Sequence, residues 1–171
     1  FDPDDTIEGF RAAITENTKA VVCTHVSNVF GYVLPVEEIA ALCREREGPL
    51  ILDCSQSAGI LPVSLRKLPA AFLCMPGHKS LYGPQGTGVL VCGHALRPLL
   101  AGGTGSLSER AQMPEFTPDA GEAGTHNVPG ICALHEGVRF VRSVGLSQIA
   151  AHEKMLAQLL IAELEAVSYT H

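Results

Sequence analysis

The sequence predicts an α/β fold with a largely parallel sheet. Strand-like and helix-like stretches alternate through the first half of the chain. The strand-like stretches are continuously apolar, which is the pattern of strands covered on both faces. The length of 171 residues is enough for one domain with a sizeable core.

The elements follow in chain order. In "TIEGFRAAITE", residues 6–16, Ile7, Phe10 and Ile14 fall on one helical face, with Thr6 behind Asp4 and Asp5 as the N-cap region. "AVVCTHV", 20–26, is short, apolar and β-branched, hence a buried strand. Pro35 then opens a helix in which Val36, Ile39, Ala40 and Cys43 share a face. "PLILDCSQ" is a second strand, ending in an aspartate, "AAFLCMPG" a third and "GVLVCG" a fourth. No helical pattern lies between the last two, so one of them is expected to run antiparallel. Residues 101–129 read as a long loop, of the kind that serves binding or meets another chain. Two helices close the chain. The first aligns Ile131, Leu134, Val138 and Val141; the second aligns Ile149, Leu156, Leu160, Leu164 and Val167.

Composition narrows the function. The net charge is −6 with no basic cluster, which argues against nucleic acid as a partner. No apolar run is long enough to span a membrane, and no signal-peptide pattern precedes the first helix. The six cysteines show no C-x-x-C spacing, and four of them sit inside apolar runs. They are expected to be reduced, mostly buried thiols of a cytoplasmic protein, without a zinc site. The chain starts without methionine and stops directly after a helix-like segment, so a fragment is expected.

In open α/β sheets, ligands sit beyond the C-terminal ends of the strands. Three such ends are polar here: "THVSN" brings His25, Ser27 and Asn28, "DCSQS" brings Asp53, Ser55 and Gln56, and "PGHKS" brings His78 and Lys79. An aspartate in such a place commonly caps a turn, and can equally face a cationic ring nitrogen. A loop lysine is commonly a solvated charge, but desolvation beside apolar strand ends makes it a nucleophilic amine. "YGPQGTG" is a poor phosphate loop, because Lys79 precedes the glycines and the segment leads into a strand. An aspartate at one strand end and a lysine after the next suit pyridoxal 5'-phosphate: the lysine binds the aldehyde and the aspartate keeps the ring nitrogen protonated.

The chain resembles the class V aminotransferases, fold-type I pyridoxal-phosphate enzymes that include the cysteine desulfurases. The matching stretches run almost end to end: "THVSNVFGYVLPVEEI", "LDCSQSAGILPV", "PGHKSLYGPQGTGVL", "GGTGS", "EAGTHNVPGI" and "IAAHE". The resemblance implies a partial large domain of the pyridoxal-phosphate-dependent transferase (aspartate aminotransferase-like) fold, with residues 1–145 in that domain. Residues 146–171 would be a helix leading towards a small domain. It implies that Lys79 forms the Schiff base and moves the Cα proton. Asp53 would pair with the pyridine nitrogen, Gln56 with the phenolic oxygen and His78 with the phosphate. Asn28 would lie near the cofactor and the substrate carboxylate, and Thr125 would reach the partner's phosphate in a homodimer. Pro76 departs from the Ser or Thr that the family often carries three residues before the lysine. The implied activity is sulfur removal from L-cysteine. An aminotransferase or lyase of the same family, or a non-catalytic relative, are the alternatives.

Overall fold

A computed structural model describes residues 5–103, 105–107 and 109–167. Asp4, Thr104 of "GGTGS" and the end of the last predicted helix region, 168–171, lie outside the described residues. The elements run α1 (Thr6–Ala13), β1 (Val21–Thr24), α2 (Val36–Glu45), β2 (Leu50–Asp53), β3 (Phe72–Pro76), β4 (Gly88–Cys92), α3 (Val128–Val144) and α4 (Leu146–Ala166). The four strands form one sheet in chain order, with β1, β2 and β3 parallel and β4 antiparallel to β3. The antiparallel fourth strand meets the expectation from the missing helix. The fold is a mostly parallel sheet flanked by helices, as the sequence predicts.

The register decides which residues share a face. Thr24, Asp53, Cys74 and Leu90 lie side by side across the sheet, and Val22, Ile51, Phe72 and Cys92 form the next row. The alternate residues Leu50, Leu52 and Leu73 point the other way and are almost fully buried. There they meet Ile39, Ala40 and Cys43 of α2, Ile14 after α1 and Leu134 of α3. Leu50 and Leu52 are 1% and 0% exposed, and burial of each such side chain contributes roughly 1.5–3 kcal/mol.

The opposite face differs from expectation. Val22 is 68% and Leu90 47% exposed, so among the described residues the helices cover one face only. Continuous apolar strands predict two cladding layers, and this chain supplies one. The same holds for α4: Ile149 is buried, whereas Leu156, Leu160, Leu164 and Val167 are exposed. Only the first turns of α4 lie close enough to pack. In α3, Leu134 and Val141 are buried as predicted and Ile131 is exposed. Helix α1 ends at Ala13, earlier than the periodicity suggests, because Ile14 turns extended and still buries its side chain.

Pro76 ends β3 opposite Gly88. A proline without an N–H is tolerated at a strand terminus. The 101–129 region contains one short 3-10 helix, Asp119–Gly121. Its two halves are tied where the Gly124 N–H donates to the Gly102 carbonyl at 2.9 Å.

Candidate active site

The three parallel strands end along one edge, with Thr24 and Asp53 in register and Asp53 beside Cys74. Three loops leave this edge, and each carries sequence-predicted site residues. The first is a tight turn from Ser27 to Tyr32. The Ser27 N–H donates to the Tyr32 carbonyl at 2.8 Å, and the Ser27 hydroxyl accepts from the Val29 and Phe30 N–H groups at 3.3 and 3.2 Å. Gly31, at φ 67°, allows the reversal. Asn28 stands exposed on this turn.

The second loop follows Asp53. The Asp53 Oδ1 accepts from the Ser55 N–H at 2.8 Å and from the Ser55 hydroxyl. That is the turn-capping role expected of a strand-end aspartate. It occupies one oxygen and orients the carboxylate. The other, Oδ2, has no hydrogen-bond partner among the described residues, so one side chain caps the turn and still presents an acceptor. The chain then coils through Cys54 to Leu61: the Ala58 N–H donates to the Cys54 carbonyl at 2.9 Å and the Leu61 N–H to the Ser57 carbonyl at 2.8 Å. Gln56 is half-buried on this coil.

The third loop joins β3 to β4 and carries His78, which is exposed, and Lys79, which is half-buried. It closes through bonds from the Gly77 N–H to the Thr87 carbonyl, 2.8 Å, and from the Gly83 N–H to the Gly77 carbonyl, 2.7 Å. Lys79 has no carboxylate within salt-bridge distance among the described residues. A lone solvated charge would account for that; so would an amine kept for a ligand.

The second and third loops touch. A Cβ added to Gly59 would lie 2.0 Å from the Ser80 carbonyl oxygen. The coil after Asp53 therefore rests with its backbone on the residue next to Lys79. On its other side the lysine loop leans on α3, where a Cβ at Gly137 would lie 2.2 Å from the Leu81 carbonyl oxygen. Tyr82 meets Phe140 edge to face, with ring centroids 5.1 Å apart. Thr125 precedes the first turn of α3, which meets the lysine loop where a Cβ on Gly130 would lie 2.8 Å from Thr87 Cγ2. Thr125 is exposed, two residues before Asn127, whose Oδ1 accepts from the Gly130 N–H at 3.1 Å and caps α3.

Five of the six cysteines are buried or half-buried, and fewer are fully buried than expected. Cys43 and Cys54 are buried, Cys23, Cys74 and Cys92 half-buried, and Cys132 exposed; all are free. Burial is the main cause that pushes the Cys23 and Cys54 thiols up to about 11, and it raises Cys43 and Cys74 as well. These four are thiols, not thiolates, at neutral pH. No group of three or more metal-ligating side chains occurs among the described residues, and no helix there is long and apolar enough to cross a membrane.

Sequence reasoning missed the buried partner of the strand-end histidine. His25 is 8% exposed, and its Nδ1 lies 2.9 Å from the hydroxyl oxygen of Ser57, which is 0% exposed. Nothing in local spacing pairs the two; the only signal is two small polar residues flanking Gln56.

A mostly parallel sheet flanked by helices is the large-domain architecture of the fold-type I enzymes that this chain is similar to. The chain belongs to the class V aminotransferase family, whose model matches residues 3–171. It is 34% identical over 161 residues to a probable cysteine desulfurase of Methanothermobacter thermautotrophicus, covering 91% of this chain and 40% of that protein. It is 35% identical over 177 residues to a cysteine desulfurase of Shigella sonnei, covering 98% and 43%. In structure it is similar to the apo cysteine desulfurase of Thermococcus onnurineus NA1, with a TM-score of 0.80 and 29% identity over 97% of this chain and 42% of that one. The chain thus spans about two-fifths of the length of the curated relatives it matches.

Proposed function

We propose that this chain forms the cofactor-binding core of a pyridoxal-phosphate-dependent enzyme that removes sulfur from L-cysteine. The observation that carries the reading is the pairing of Asp53, ending β2, with Lys79, in the loop after β3, their two loops joined by the Gly59–Ser80 contact. The names of the relatives supply the sulfur chemistry.

The donor set fits the cofactor. Asp53 Oδ2 can accept from a ring N–H while Oδ1 stays engaged by Ser55. Gln56 offers an amide donor to the phenolic oxygen. His78 and the partner's copy of Thr125 offer donors to the phosphate, and Asn28 offers an amide near the substrate carboxylate. The Lys79 amine, without a salt-bridge partner, is the group for the covalent link. When bound, pyridoxal phosphate supplies a ring that stores the electron pair left on a deprotonated Cα. Lys79 Nζ would be the base that takes the Cα proton and the acid that later returns it. Asp53 would keep the ring nitrogen protonated, since a nearby negative charge favours the protonated form. The partner-facing role proposed for Thr125 requires a homodimer. Six unpaired thiols suit a reducing compartment, the cytoplasm.

The test is borohydride reduction of the full-length protein with pyridoxal phosphate, followed by peptide mapping and by assays for sulfide and keto acid from cysteine. The expected result is a visible absorbance lost on reduction, a label on Lys79 and release of sulfide. A label on another lysine refutes the site, and keto acid without sulfide refutes the reaction.

A further inference from the structure

The three loops carrying Asn28, Gln56 and Lys79 lie beyond the sheet, so strand pairing does not set their mutual positions. The hydrogen bonds of His25 do much of that work. Its N–H donates to the Asp53 carbonyl at 2.8 Å and its carbonyl accepts from the Leu34 N–H at 2.9 Å. Those bonds belong to the backbone and any residue could make them. The side chain adds a third. The Ser57 hydroxyl lies 2.9 Å from His25 Nδ1 and 3.4 Å from the Cys54 carbonyl oxygen; the imidazole tautomer sets which of His25 and Ser57 donates. Both partners are buried, and buried polar groups are costly to leave unpaired.

Ser57 is the neighbour of Gln56 and sits within the coil whose Gly59 rests on Ser80. A contact path therefore leads from the end of β1 through His25, Ser57 and Gly59 to the residue beside Lys79. We propose that His25 is a positioning residue: through its bond to Ser57 it sets where the Gln56 amide stands relative to Lys79. This rests on the cofactor reading above and deepens it. His25 is 8% exposed and would act through the coil.

The experiment measures dissociation constants of the full-length protein for pyridoxal phosphate and for its analogue lacking the 3-hydroxyl, the oxygen Gln56 would bind. His25→Leu fills the volume without a hydrogen-bonding atom, His25→Asn keeps a polar amide near the Nδ1 position, and Ser57→Ala removes the hydroxyl with little loss of volume. His25→Leu and Ser57→Ala are each expected to weaken pyridoxal phosphate roughly tenfold and the analogue less than twofold. The double variant is expected to lose no more than either single one, because both remove the same link. His25→Asn is expected to recover most of the affinity. A merely structural role would weaken both ligands equally. Equal losses, additive losses or no loss in Ser57→Ala overturn the proposal while leaving the cofactor reading intact. If the unaltered protein takes up neither ligand at Lys79, the cofactor reading falls and the proposal falls with it.

Discussion

Replacing Gly59 by alanine tests the contact on which the site is built. Two costs add. Gly59 has φ +91°, which an L side chain rarely adopts, and a residue held there costs about 1–2 kcal/mol. The new Cβ would also lie 2.0 Å from the Ser80 oxygen and 2.6 Å from its carbonyl carbon. Both are backbone atoms, so a rotamer change gives no relief, and the coil must move off the lysine loop. Overpacking of this kind costs about 1–3 kcal/mol. The expected total is about 2–5 kcal/mol, a large part of the roughly 5–15 kcal/mol that holds a domain folded. Gly86→Ala is the control, because Gly86 has φ +75° with open space around its Cβ position and bears only the conformational cost. Urea unfolding of both variants measures the difference. If Gly59→Ala is no more destabilising than Gly86→Ala, the two loops do not bear on each other and the reasoning is refuted.

Gly137→Ala should cost about 1–3 kcal/mol, because its Cβ would meet the Leu81 and Tyr82 backbone; a midpoint shift in the same unfolding assay checks it. Thiol labelling at pH 8 should modify the exposed Cys132 first and leave Cys43 and Cys54 until urea is added; early labelling of Cys54 would contradict its burial. Acid should weaken the fold through His25. Burial lowers its pKa from the ordinary 6.5, with Glu37 and Glu38 bordering the same groove from α2 and Asp53 at the adjacent strand end. The unfolded chain then binds the proton more readily. The stabilising effect of neutral His25 is complete above about pH 6.5 and is lost as pH falls through the lower folded value. His25→Asn should flatten the dependence of the unfolding midpoint between pH 5 and 7.

The elements were legible because apolar periodicity reports burial directly. Leu50 and Leu52, or Ile39 and Cys43, reveal their face by spacing alone. The strand-end residues were legible because a topology rule puts chemistry at the C-terminal edge of a parallel sheet, and "LDCSQ" and "PGHKS" carry it there. Two kinds of fact were not legible. Val22 and Leu90 read as buried, since a strand's own sequence cannot say whether the layer meant for its second face is present. The His25–Ser57 bond and the Gly59–Ser80 contact join residues far apart in sequence. Neither leaves a period or a motif; each follows from how two loops meet once the strands are paired.

Asp53 separates the two readings given to a strand-end aspartate. As a turn cap it needs an oxygen that accepts from the Ser55 N–H; as a ring partner it also needs negative charge on Oδ2. Asn keeps the first and loses the second, since its Oδ1 can face Ser55 while Nδ2 presents a donor where an acceptor is required. Asp53→Asn should leave the urea midpoint within about 0.5 kcal/mol of the unaltered protein, yet abolish stable uptake of pyridoxal phosphate or shift its bound absorbance. Asp53→Ala removes both functions and should lose about 1.5–3 kcal/mol of stability as well, the usual worth of hydrogen bonds to a charged group. If Asp53→Asn binds and reacts as the unaltered protein does, the carboxylate is a turn cap and nothing more. If both variants lose equal stability, the charge itself holds the coil, and the division of labour between Oδ1 and Oδ2 is wrong.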